Sequence, residues 1–293
     1  MHIVRFRTLQ GAVRLGVRMP SGHLDALGAP EITLADLLRL SEDELRQLPS
    51  NTQREALPDD VSVALLAPID RATEVWAAGV TYRRSEQARM EESQTPDLYS
   101  RVYAADRPEL FFKASPRRVA GPDEPIAIRS DSAWDVPEPE LAIVVNAHAR
   151  IVGYTIANDV SSRSIEGENP LYLPQAKVFA GCCALGPGVV PAWEVPDPYR
   201  LAIHMRILRN GQIVWQGETS TSELKRRLDE LVRYLFLEDD FPDGVILCTG
   251  TALVPDSPFT LAAGDEVEIE IDQLGTLRNP VVSGKAARAA WRG

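Results

Sequence analysis

Short apolar runs recur along this 293-residue chain, and 22 Pro and 19 Gly cut them at close intervals. A chain punctuated that often can lay down strands and turn between them, but it has little room for long helices. Alternation of Ile3, Arg5 and Arg7 with Val4 and Phe6, followed by Ala12 to Val17, reads as short paired strands. Further strands are expected at Val75–Val80, Leu110–Lys113, Glu140–Asn146, Ile151–Asn158, Leu201–Arg209, Ile213–Glu218, Val245–Thr249 and Val267–Asp272. Asn210-Gly211 between two of these is a strong hairpin signal, because both residues tolerate positive φ. The one long helical stripe is Ser222 to Phe236, with Leu224, Leu228, Leu231 and Leu235 on one face. Shorter helices are expected at Thr33 to Leu40, behind a Thr cap, at Ser41 to Leu48, and at Ser85 to Glu92. The apolar stretch Val61 to Ile69, ending near Pro68, places a boundary there. Residues 1–66 form a small N-terminal α/β lobe and 67–293 a larger domain, and the fold class is β-dominated α+β.

Charge narrows the partners. With 31 Lys and Arg against 42 Asp and Glu the net charge is −11, which speaks against nucleic acid and against an anionic membrane surface. Cys182, Cys183 and Cys248 show no disulfide or zinc spacing and sit among apolar neighbours, as buried thiols in a reducing compartment do. The start, Met1-His2-Ile3-Val4-Arg5-Phe6, has no signal-peptide core, and the longest uncharged run, Val178 to Trp193, contains three Gly and two Pro. The expectation is a soluble, cytoplasmic protein.

Chemistry concentrates in the middle of the chain. Glu138 and Glu140 stand two apart at the mouth of the strand Leu141-Ala142-Ile143-Val144-Val145, so both carboxylates leave the same face. Two such groups at the rim of a core repel unless a cation lies between them, and hard carboxylate oxygens suit Mg²⁺, Mn²⁺ or Ca²⁺. A bare Glu-x-Glu is more often a solvated acidic edge, but the apolar run behind it points to a buried rim. The following strand ends in Asn158-Asp159, and a hairpin around Asn146 to Arg150 brings Asp159 back toward the pair. Lys177 precedes a Gly-rich apolar run that draws it inward. Thr249-Gly250-Thr251, after the strand Val245-Ile246-Leu247-Cys248, offers N–H and hydroxyl groups to a carboxylate.

The order Glu-x-Glu, Gly-Tyr-Thr-x-x-Asn-Asp-x-Ser-x-Arg, Lys-x-Phe, Leu-Gly-Pro, Thr-Gly-Thr and Gly-Asp-x-Val-x-x-x-Ile resembles the fumarylacetoacetate hydrolase superfamily over about residues 70–283. The segments Arg107 to Lys113, Ser130 to Trp134 and Glu168 to Gln175 are similar to its 2-keto-3-deoxy-pentonate (arabinonate or xylonate) dehydratase branch, which makes 2,5-dioxopentanoate in oxidative pentose degradation. The resemblance implies a mixed β-roll catalytic domain, a homodimer or homotetramer, and a small 2-oxo acid substrate. It also implies a divalent ion, usually Mg²⁺, on Glu138, Glu140 and Asp159. Lys177 and Glu109 are the candidate base and acid, and Ser85, Arg163, Gln175 and Thr251 the candidate substrate contacts. Blander roles stand beside two of these: Glu109 as a partner of Lys113, and Arg163 as a brace for Asp159. Many hydrolases and decarboxylases of the superfamily carry a His and a Glu that orient water, where this chain has Ser85 and Ala88. Serine without a base cannot activate water as imidazole does, so elimination is favoured over C–C hydrolysis. The rival activities on the same site are acylpyruvate or fumarylacetoacetate-type hydrolysis, oxaloacetate decarboxylation and hydroxyheptadienedioate isomerisation. A non-catalytic sugar-acid or metal-binding module is the rival from another class.

Overall fold

A computed structural model describes residues 1–28, 32–51, 54–58, 63–70, 72–85 and 96–291. The strands form one twelve-stranded sheet, a five-stranded sheet and a two-stranded ribbon. At the centre of the large sheet, Pro139–Val145 lies between Ile151–Asp159 and Val245–Cys248, antiparallel to both. Val245–Cys248 runs parallel to Glu74–Gly79, which pairs with Glu109–Ala114. On the other side Ile151–Asp159 pairs with Cys183–Pro191, which in turn meets His2–Arg7 through Ile3 and Val189. The N-terminal strands therefore extend the same sheet.

The central strands are buried on both faces, which is why they read as unbroken apolar runs. Leu141, Ile143, Val145 and Ile156 face the five-stranded sheet and its Ile203, Met205, Ile207, Val267 and Ile269, with Leu228, Leu231 and Leu235 of the helix Leu228–Leu235. Ala142, Val144, Ala157, Cys183, Leu185 and Cys248 face the other way, into a cluster with Val75, Ala77 and the N-terminal Leu15, Val17, Leu34 and Leu38. The three thiols are free and buried, as their neighbours implied.

Local signals held in most places. Thr33 caps the helix Leu34–Leu38 in a reciprocal capping box with Asp36. Asn210 (φ 53°) and Gly211 (φ 75°) turn Ala202–Arg209 into Gln212–Ser220. The helix expected over Ser222 to Phe236 is shorter, Leu228–Leu235, because the residues ahead of it are used elsewhere. Leu224 bridges to Tyr82, the Lys225 N–H donates to the Thr81 carbonyl, and Arg226 Nη1 donates to the Asp106 carbonyl at 2.9 Å. Beyond Ser85, the helix expected to Glu92 lies outside the described residues, and so does Ala88. No helix among the described residues is long and apolar enough to cross a membrane.

Candidate metal centre and its cavity

Strand register brings the three carboxylates together. Pro139 lies opposite Asn158 and Glu140 opposite Ala157, and the Asp159 N–H donates to the Glu138 carbonyl at 3.0 Å. Glu138 and Asp159 therefore face one another across the ladder, with Glu140 one pleat further along the same face. A carboxylate oxygen of each lies within 4.8 Å of the others, and all three residues are buried.

Three cations surround the carboxylates unevenly. Lys177, at the end of the short helix Leu173–Lys177, sends its Nζ to Glu138 Oε2 at 2.7 Å, Asp159 Oδ2 at 3.1 Å and Ser161 Oγ at 2.6 Å. Arg163 pairs with Glu138 Oε1 at 3.2 Å rather than with Asp159, which corrects the bracing role read from sequence. Lys113 is fully buried and forms an ion pair with Asp159 Oδ1, so it is not the partner of Glu109. Its Nζ also donates to the carbonyls of Val160 at 3.0 Å and Lys177 at 2.5 Å. Burial opposes the charge on Lys113, but Asp159 outweighs it and holds the ammonium protonated.

Glu140 differs from its neighbours. It accepts the Gly250 N–H at 2.7 Å, and among the described residues no cation lies within 4.0 Å of it. Burial, and then the charges of Asp159 and Glu138, push its carboxyl well above the ordinary range. A hard divalent cation among these oxygens would remove that repulsion, so the donor set fits Mg²⁺, Mn²⁺ or Ca²⁺.

The carboxylates and Lys177 open onto a cavity also lined by Glu109, Ser85, Arg163, Glu166 and Thr251. Glu109 enters from the strand Glu109–Ala114, with its carboxylate against Gly79. The Ser85 hydroxyl donates to the Tyr82 carbonyl at 2.7 Å and accepts the Tyr82 N–H at 3.2 Å. The Thr251 hydroxyl is shared with the backbone of Leu253. Gln175 is not brought to the cavity: it is exposed, and its carbonyl accepts from Arg129 Nη1 at 3.0 Å. Sequence reasoning missed Lys113, Glu166 and Phe111, whose ring lies 5.8 Å from Lys177 Nζ. The signal for two of them is parity, since Phe111 and Lys113 alternate with Glu109 on one face of a single strand.

Comparison with known proteins agrees with this geometry. Residues 74–282 match the family described as fumarylacetoacetate (FAA) hydrolase C-terminal. A Haloferax volcanii protein named "Probable 2-keto-3-deoxyxylonate dehydratase" is 52% identical over 252 residues, covering 85% of this chain and 86% of that protein. The 2-dehydro-3-deoxy-D-arabinonate dehydratase of Saccharolobus solfataricus is 42% identical, covering 84% of this chain and 89% of its own. A solved 2-keto-3-deoxy-D-arabinonate dehydratase, complexed with magnesium and 2,5-dioxopentanoate, superposes with a TM-score of 0.83 at 35% identity, over 97% of this chain and 99% of that one.

Proposed function

The chain belongs to the fumarylacetoacetate hydrolase family, and from that membership we propose that it is a Mg²⁺-dependent hydro-lyase converting a 2-keto-3-deoxy-pentonate to 2,5-dioxopentanoate. The observation that carries this reading is one cavity holding Glu138, Glu140 and Asp159 together with two further proton-exchanging groups, Lys177 and Glu109.

The reaction removes a proton from C3 and the hydroxyl from C4, and the enone so formed tautomerises through the C4–C5 enol to the C5 aldehyde. Glu138, Glu140 and Asp159 would hold the divalent ion, which would supply polarisation of the 2-oxo group and so acidity at C3. Lys177 and Glu109 stand on separate elements and serve as the two proton carriers, one accepting from C3 and the other donating to the departing hydroxyl. Arg163, which lines the same cavity, serves as the contact for the substrate carboxylate. Thr251 and Ser85 complete its wall, and Gln175 takes no part.

Ser85 also supports elimination over hydrolysis. Its hydroxyl is engaged with the Tyr82 backbone, and no imidazole stands in its place to orient water. Proton NMR of the purified protein with Mg²⁺ and a 2-keto-3-deoxy-pentonate tests the reading. An aldehyde signal should grow and should vanish on exhaustive chelation. Full turnover after chelation would sink the metal-dependent reading, and cleavage of an acylpyruvate without aldehyde formation would install the hydrolase in its place.

A further inference from the structure

The Glu109 carboxylate occupies the space that a side chain at residue 79 would fill. Gly79 and Glu109 are register partners in the antiparallel pair Glu74–Gly79 and Glu109–Ala114. A Cβ on residue 79 would lie 2.1 Å from Glu109 Oε2, 2.7 Å from its Cδ and 3.3 Å from its Cγ. Every close atom is the far end of a flexible side chain, and Gly79 is not among the residues with positive φ. Alanine therefore fits the strand and displaces one thing, the carboxylate. Other glycines of the fold behave differently. A Cβ on Gly121 would meet the Ala67 backbone nitrogen at 2.4 Å, and Gly250 has a φ of +89°.

We propose that Gly79 is a positioning residue for the dehydration: its missing side chain lets the Glu109 carboxylate lie across the neighbouring strand, inside the cavity that Glu138, Glu140 and Asp159 line. The inference rests on the reading of Glu109 as a proton carrier. It adds that the carrier's placement is set by the residue opposite it.

The test compares Gly79→Ala, Glu109→Gln and the double variant with the wild type. The readouts are kcat and KM on a 2-keto-3-deoxy-pentonate, Mg²⁺ affinity by calorimetry, and the melting temperature. Gly79→Ala should fold and should keep the wild-type Mg²⁺ affinity and KM. Its kcat should fall by about 100-fold, the loss that roughly 1 Å of misplacement produces. The double variant should be no slower than Glu109→Gln alone, because a displaced carboxylate and an absent one cost the same step. A Gly79→Ala enzyme within threefold of wild-type kcat, beside an inactive Glu109→Gln, overturns the inference and leaves the reading of Glu109 standing. Losses that multiply in the double variant also overturn it, as does failure of Gly79→Ala to fold. Full activity in Glu109→Gln removes the reading of Glu109, and the inference with it.

Discussion

Lys113→Met isolates what a buried ammonium does for the metal centre. Methionine keeps the side-chain length and volume, so packing changes little and the charge is what is lost. In the wild type that charge is fully buried, paired with Asp159 Oδ1 and bonded to the carbonyls of Val160 and Lys177. Removing one partner of a buried ion pair costs about 3–5 kcal/mol, because the other charge stays buried without compensation. Lys177 still reaches Asp159 Oδ2 at 3.1 Å, which places the expected loss near the middle of that range, about 4 kcal/mol. For a chain of this size each kcal/mol moves the melting temperature by roughly 2 °C, so Lys113→Met should melt about 8 °C lower. Thermal unfolding without metal reads this directly. Adding Mg²⁺ should raise the variant's midpoint by more than it raises the wild type's, since the ion supplies the missing positive charge. Lys113→Met/Asp159→Asn should melt above Lys113→Met, because the double variant no longer buries the Asp159 charge without its Lys113 partner. A Lys113→Met protein melting within 1 °C of wild type would refute the reasoning. So would a double variant that is less stable than the single.

Two other outcomes follow from the same geometry. Glu138→Gln keeps a side chain of the same shape but removes one of three negative ligands, so turnover in the aldehyde assay should drop by at least about 1000-fold while circular dichroism stays unchanged. Burial raises the Asp135 carboxyl from 3.8 to about 6, so the folded protein holds that proton more tightly than the unfolded chain. The contribution is fully present below 3.8 and is lost as pH rises through about 6. Asp135→Asn, neutral throughout, should therefore gain about 2 kcal/mol in urea unfolding at pH 7.5 and much less at pH 4.5. Equal changes at the two pH values would remove Asp135 as their source.

The carboxylate centre was legible because it depends on two short-range rules. A period of two puts Glu138 and Glu140 on one face, and the turn at Asn146 to Arg150 fixes a register in which Asp159 must meet them. Lys113 was not legible, although its parity with Glu109 was in view, because an isolated lysine is by default a surface residue. The partner that allows it to be buried, Asp159, lies 46 positions away (159 − 113). The strand Cys183–Pro191 escaped for a related reason. Gly186, Pro187 and Gly188 argue against a strand locally, and only the ladders on either side, to Ile151–Asp159 and to His2–Arg7, hold them extended. The leucine stripe over Ser222 to Phe236 predicted too long a helix because its first leucine, Leu224, answers to Tyr82 on another element. Gln175 entered through motif similarity alone, and the short helix that carries it turns it outward.

Charge placement, more than the number of charges, ties this fold to elimination chemistry. Lys113, Lys177 and Arg163 all attach to Asp159 or Glu138, and none of them reaches Glu140. Two carboxylates are thus held by protein cations, while the third takes a backbone N–H and keeps a raised pKa. That imbalance leaves room for a cation beside Glu140 without pulling the other two ligands away from their supports. Hydrolysis at the same place would need a further feature, a base that orients water at the mouth of the cavity. There the chain instead offers a serine whose hydroxyl is engaged with the Tyr82 backbone. On the reading proposed above, the protons that move belong to Lys177 and Glu109, one at a helix end and one on a strand that faces a glycine. Two proton carriers beside a cation site are what loss of water from adjacent carbons requires, and they do not suffice for adding water across a C–C bond.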